Sequence, residues 1–293
     1  MLKKASKVLS ASKRPQVFGM VHFPALPGTP LNKLSIAQIS NVVRKEVRQY
    51  AEAGVDGIIF ENMHDLPYVR SNLIGPEIVA SATRLCVDGV NELGEDRSKF
   101  LLGVQILAQG NKEGLAVAQS AGLDFIRAEC FIFSHVADEG WMDGCAGELL
   151  RYRRNIGAED IAIFTDLKKK HSSHAVTADI TLADSAKAGE FFQADGFIVT
   201  GHATGEAAVP SDLEEVQRVS KLPVLIGSGV TLENWRSYSH ADGFIIGSHF
   251  KVNGDWRNEV SVPTVKKFMN SVKNNGQSAR NTRNSGSSEY LEY

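Results

Sequence analysis

One short pattern of small, acidic and apolar residues recurs four times along the chain, at residues 53–61, 121–129, 194–200 and 241–248. Each copy carries Ala, then Asp (Asp56, Asp124, Asp195, Asp242), then an apolar run that closes on a polar residue. Each also follows a helix-like stretch. The runs are too short for helices and suit strands buried on both faces. Four further apolar runs, 17–22, 101–106, 161–166 and 223–227, fall between the copies. The repeat therefore occupies every second strand of eight.

Helical spacing separates the strands. The clearest case spans residues 35–53, where Ile36, Ile39, Val43, Val47 and Tyr50 recur on one face. It opens with the capping box Ser35-Ile36-Ala37-Gln38 and stops at Gly54, a residue suited to a left-handed helix end. Eight βα units in about 250 residues predict an α/β fold, a single-domain (β/α)8 TIM-like barrel of parallel strands. A doubly wound open sheet competes, but no Gly-x-Gly-x-x-Gly turn follows the first strand.

A strand has two ends, and the repeat sorts the carboxylates between them. Asp56, Asp124, Asp195 and Asp242 precede strands and are expected to make turn or capping contacts. Polar residues that follow strands lie on the carboxy-terminal rim, where βα folds place their chemistry.

Composition adds limits. The 293 residues carry a formal net charge of −2 with no basic block in the body, which argues against a nucleic-acid partner. No apolar stretch approaches the roughly 20 residues of a membrane span. Cys86, Cys130 and Cys145 lack Cys-x-x-Cys spacing and read as small buried hydrophobes in a reducing compartment. Residues 1–15 are basic and serine-containing, and no acid appears before Glu46. That composition predicts either a mitochondrial transit segment or a frayed arm in a cytoplasmic protein. The barrel is expected over residues 16–270. Residues 271–293, rich in Ser, Asn and Gly, read as a disordered tail.

The strongest chemical signal lies late in the chain. The seventh strand runs into Gly227-Ser228-Gly229-Val230-Thr231 and the eighth into Gly247-Ser248. In many (β/α)8 enzymes these two loops hold a phosphate through backbone N–H groups that glycine leaves open. Thr200-Gly201-His202-Ala203-Thr204-Gly205 follows the sixth strand, and Thr200, Gly201 and Thr204 could reach the same anion or serve a plain turn. Asp166 closes the fifth strand ahead of Leu167-Lys168-Lys169-Lys170-His171. A strand-end carboxylate, an imidazole and Lys170 suit acid–base work or a divalent cation, whereas Lys168 and Lys169 read as a solvated run. His22 closes the first strand before a proline-set loop, and Glu61-Asn62, Asp65, Gln105 and Glu129 share its rim.

These rim residues resemble a known family. His22-x-x-Pro24-x-Leu26-Pro27-Gly28, Glu61-Asn62-x-x-Asp65-x-Pro67, Lys170-His171, Thr200-Gly201-x-x-Thr204-Gly205, Gly227-Ser228-Gly229-Val230 through Asn234, and Gly247-Ser248-x-x-Lys251 look like the BtpA/SgcQ family over about residues 15–270. The resemblance implies a (β/α)8-like fold. Its namesake is an extrinsic thylakoid protein implicated in photosystem I accumulation, and other members accompany bacterial sugar-metabolism genes. The third strand departs from the family pattern: Ala108-Gln109-Gly110 stands where many members carry an Arg-Asn-Asp-like end.

Two functions follow as expectations. In one, the barrel is a lyase, isomerase or hydrolase acting on a phosphorylated sugar or nucleoside-like metabolite. Gly227, Ser228, Gly229, Gly247 and Ser248 would hold phosphate. His22, Glu61, Asp166 and His171 would transfer protons or bind a divalent cation. In the other, the barrel is a non-catalytic assembly or stability factor. The expected partners are a phosphorylated small molecule and, as a candidate, further copies of this chain.

Overall fold

The computed structural model describes residues 3–201 and 205–275. Eight parallel strands close a barrel in chain order: β1 (Gln16–His22), β2 (Gly57–Glu61), β3 (Leu101–Gln105), β4 (Phe125–Ala128), β5 (Ala162–Leu167), β6 (Gly196–Val199), β7 (Val224–Ile226) and β8 (Gly243–Ile246). Strand β8 returns to β1 with Gln16 opposite Gly243. The expected (β/α)8 barrel is the fold.

Alternation along the strands builds two separate cores. Val17, Ile58, Leu102, Ile126, Ile163, Phe197, Val224 and Phe244 belong to the outer core beneath the helices. Their neighbours Phe18, Met20, Ile59, Phe125, Phe164, Ile198, Leu225 and Ile245 fill the barrel interior. Phe18 and Phe125 meet edge to face at 5.6 Å, and Phe125 and Phe164 at 5.2 Å. Continuing the same inward register upward reaches His22, Glu61, Gln105, Arg127 and Asp166, all buried. The interior thus changes from apolar to polar towards the rim.

Helix α2 (Ile36–Ala53) forms as its spacing predicts. Ser35 and Gln38 complete the capping box, and Gly54 ends the helix at φ 80°. The helices α3 (Pro76–Leu93), α4 (Asn111–Ala121), α5 (Ala146–Asn155), α6 (Leu182–Phe191) and α7 (Pro210–Val219) follow, and α8 (Val262–Asn275) packs beside α2. Helix α8 continues into the segment expected to be a polar tail, because Phe268, Met269 and Val272 are buried at helical spacing. The rest of that tail lies outside the described residues. Among the described residues no helix is long and apolar enough to cross a membrane.

The repeated aspartates bracket neighbouring strands. Asp56, Asp124, Asp195 and Asp242 each accept the backbone N–H of Val17, Leu102, Ile163 and Val224, in that order, at 2.9 Å. Each aspartate's own N–H returns a bond to the carbonyl of the same residue. The four copies of the pattern are therefore four identical clamps on β1, β3, β5 and β7.

Below the clamps, the basic segment forms helix α1 (Lys4–Ala11). Ala5 and Leu9 are wholly buried and belong to the interior cluster of the barrel. Ser6 donates to the Asp195 carbonyl at 2.8 Å, Lys4 pairs with Asp124, and Arg14 grips Asp56 through two hydrogen bonds. The segment expected to be a leader or an arm closes the amino-terminal mouth of the barrel.

Over the opposite mouth lies a small antiparallel sheet of His135–Ala137, Gly140–Met142 and Ser172–Ser173, which the sequence did not announce. Its strands are two or three residues long, below what periodicity can register.

Candidate active site

A cavity of about 570 Å³ opens at the carboxy-terminal rim. Its walls bring part of the expected acid–base set, His22 and Glu61, to the glycine-serine loops. His22, Glu61, Arg127 and Lys170 line it together with the loops Gly227–Thr231 and Gly247–Ser248.

The first pair comes from β1 and β2, where His22 stands opposite Glu61. His22 Nε2 lies 3.3 Å from Glu61 Oε2, and Nδ1 lies 3.3 Å from the Trp256 carbonyl oxygen. A carbonyl and an ionised carboxylate both accept, so the ring satisfies both only with two N–H groups. Removing one proton breaks one contact, so the pair has the groups needed to pass a proton. Burial pushes the Glu61 carboxyl up, but the hydrogen bond from His22 and the charges of His22, Arg127 and Lys170 outweigh it. The group sits below its ordinary range.

Arg127 holds the second position. Its Nε and one terminal nitrogen donate to the two Asp166 oxygens, each at 2.9 Å. Asp166 is therefore committed to Arg127 and reaches the cavity only through it. A methyl group at Gly227 would meet Ile198 Cγ2 at 2.4 Å and Thr200 Cγ2 at 3.0 Å, so the glycine answers to close packing with β6 and its loop.

Three consecutive lysines have three different surroundings. Lys168 is exposed. Lys169 is buried, 3.4 Å from Glu129 and 3.9 Å from Glu139. Lys170 lines the cavity, where burial and the Arg127 charge lower its ammonium pKa against the opposing pull of Glu61 and Asp166. Glu129 also accepts from the side chain of Gln105 and the backbone of Gln109, and burial leaves its carboxyl above the usual range.

The remaining expected residues fall around this centre. Asn62 bonds both backbone groups of Leu107 and donates to Asp65, which accepts the Leu26 N–H. Together they tie the loops after β1, β2 and β3. The Ser228 hydroxyl accepts from Gly201 N–H and donates to the Glu206 carbonyl, joining the loops after β6 and β7. Gly229 adopts φ 67°, and a side chain there would meet the Glu206 oxygen at 2.2 Å. That glycine answers to close chain packing. Gly247 sits beside His22, 3.4 Å from the ring at the position of an added methyl. The Ser248 side chain is half-buried on the cavity wall. Thr200 Oγ1 is buried without a hydrogen-bond partner among the described residues. His171 is exposed and outside the cavity lining. Thr204 lies outside the described residues.

Arg127 and Trp256 are among the lining residues that motif reasoning missed, with Glu206, His249, Asp255 and Arg257. Arg127 sits two positions after Phe125 and two before Glu129, so alternation on β4 was the available signal. Trp256 has no such signal; the loop after β8 brings it within 4.8 Å of the His64 ring. Among the described residues no group of three or more His, Cys, Asp or Glu side chains is arranged to hold a metal ion.

Solved structures with the same barrel include tryptophan synthase from Mycobacterium tuberculosis, with a TM-score of 0.56 at 15% identity over 93% of this chain and 99% of that one. Orotidine 5'-monophosphate decarboxylase from Methanocaldococcus jannaschii gives 0.53 at 11% identity, covering 88% and 99%. At such identity the likeness concerns the fold alone. Relatives in sequence include an uncharacterised mitochondrial protein of Caenorhabditis elegans, 53% identical over 91% of this chain and 96% of its own length. An uncharacterised protein of Pyrococcus furiosus is 35% identical, covering 89% and 95%. The photosystem I biogenesis protein BtpA of Synechocystis is 32% identical, covering 87% of each chain. The family match spans residues 13–274, and with relatives of this similarity along nearly the whole barrel the chain belongs to the BtpA family.

Proposed function

We propose that this protein binds a phosphorylated small molecule, a sugar phosphate or nucleoside-like compound, in the rim cavity and acts on it as a metabolic enzyme. One observation carries the reading: the glycine-rich loops after β7 and β8 face the same volume as the His22–Glu61 pair. The backbone N–H groups of Ser228, Gly229 and Val230 make no hydrogen bond to another described residue, which leaves donors for an anion. The Arg127 guanidinium adds positive charge at the same wall. A phosphate held at the loops would orient the rest of the molecule towards His22 and Glu61, where binding energy can serve proton transfer.

Thermal denaturation with inorganic phosphate and a panel of sugar phosphates and nucleoside monophosphates tests the reading, since a ligand of the native state raises the melting temperature. Ser248→Ala should weaken the effect by about 0.5–1.5 kcal/mol, the worth of one neutral hydrogen bond. Calorimetry that finds no binding by the folded protein would overturn it. The role carried in the name of the Synechocystis relative, assembly of a protein complex, would then be the better reading. A mitochondrial location is proposed on the basic, acid-free first residues and on the C. elegans relative. A reporter fused behind residues 1–20 that stays in the cytosol would remove it.

A further inference from the structure

Lys169, Lys170 and Lys251 all have restricted access to solvent, yet they differ in one respect. Lys251 Nζ meets both Glu46 oxygens at 2.7 and 2.8 Å, and Lys169 lies against Glu129. Lys170 Nζ has neither a hydrogen bond nor an ion pair with any described residue, although it stands in the field of Glu61 and Asp166. Those two carboxylates are already engaged, by His22 and by Arg127. Lys170 instead lines the cavity, in the field of the permanent Arg127 guanidinium cation. A lysine kept as a point charge for phosphate would gain from a carboxylate neighbour of its own. A lysine on a cavity wall, in the field of a cation and without a carboxylate partner among the described residues, is arranged as a nucleophile.

We propose that Lys170 condenses with the carbonyl carbon of a phosphorylated ketone or aldehyde to form an imine. The inference rests on the reading of the cavity as a phosphorylated-metabolite site. The Nζ lone pair attacks the carbonyl carbon, the π pair moves to oxygen, and oxygen takes a proton. Further proton transfer expels that oxygen as water and leaves a C=N bond to Nζ. Nothing is oxidised or reduced. His22 and Glu61 line the same wall and are the groups able to carry the protons. The reduced ammonium preference at Lys170 supplies free amine nearer neutral pH, by about tenfold for each unit of depression.

Borohydride trapping tests the assignment. The full-length protein is incubated with dihydroxyacetone phosphate, or with dihydroxyacetone as the phosphate-free ketone, then reduced and mapped by peptide mass spectrometry. The expected result is a stable adduct on Lys170 well in excess of that on the exposed Lys168, absent from Lys170→Arg, and slowed in Glu61→Gln. Inorganic phosphate should compete with the phosphorylated probe. No adduct with either probe, or equal labelling of Lys168 and Lys170, would overturn the imine. A phosphate-induced melting shift that persists in that case would leave the binding reading intact. Equal trapping of both probes at Lys170 with no such shift would sustain the imine and remove the phosphate site.

Discussion

Arg127 and Asp166 face each other from adjacent strands through two hydrogen bonds of 2.9 Å, with side chains only 3% and 1% exposed. Removing one partner of such a pair strands the other charge in a medium that solvates it poorly. Asp166→Ala should therefore cost about 3–5 kcal/mol in urea denaturation. The double variant Arg127→Met, Asp166→Leu should cost less than the single, because no charge is left behind. A double variant that costs the sum of its two single substitutions would mean that the pair is not coupled.

The two serines of the rim should separate. Ser228→Ala breaks bonds to Gly201 and Glu206 and should lower stability by about 1–3 kcal/mol. Ser248→Ala should leave stability within about 0.5 kcal/mol and weaken phosphate binding alone. Denaturation and calorimetry on the two variants check both halves. Gly229→Val cannot serve as a ligand test, since the side chain would collide with the 206–207 backbone whatever the cavity holds.

The strand clamps predict effects confined to stability. Asp195→Asn loses the ion pair to Arg153 but keeps an oxygen for the Ile163 N–H, so a loss of about 1–3 kcal/mol is expected. Phosphate binding by the folded variant should match that of the wild type. A folded variant that has lost binding would contradict the assignment of these carboxylates to the amino-terminal face.

Acid should weaken the fold before carboxylates titrate. Burial, aided by the charge of His22 on His64 and of His174 on His135, lowers both imidazoles to about 4. The unfolded imidazole titrates near about 6.5. Between those values the unfolded chain binds more protons, so stability is full above about pH 6.5 and falls as pH drops towards about 4. Glu61, with a depressed folded value, adds stability above its unfolded pKa and loses it as pH falls through the folded one. Urea midpoints should decline from about pH 7 to about pH 4.5, and less so in His64→Gln, His135→Gln. A flat or rising midpoint would refute the sign.

The barrel was legible because its grammar is repetitive. Asp56, Asp124, Asp195 and Asp242 recur at one place in each unit, and apolar alternation needs no knowledge of distant residues. The position of the glycine loops and of His22 and Glu61 on one rim also follows from strand direction. Other features depend on what the fold brings from afar. Lys170 reads as a rim candidate beside Asp166 and His171, but its setting stays hidden until the fold brings in Arg127, forty-three positions earlier. The Ser228 hydroxyl looks available until Glu206 and Gly201 occupy it. Helix α1 was read by composition, and composition does not say that Ala5 and Leu9 are the inward residues of an amphipathic turn.

Leu9→Ala gives that helix its own test. Its side chain is wholly buried with the interior cluster, so truncation should cost about 2–5 kcal/mol, as for other core leucines. A cost near zero would mean that the helix is not seated in solution.

The seat of α1 imposes an order of events. Its polar contacts are Asp124 at the start of β4 and the Asp195 carbonyl before β6, while its apolar partners include strands from all around the ring. None of these exists as a surface until β8 has paired with β1. The helix therefore seats late, because long-range closure precedes the docking of the local segment that completes it. The finished barrel withdraws the apolar face of the helix, Ala5 and Leu9, and leaves Lys4 and Lys7 exposed.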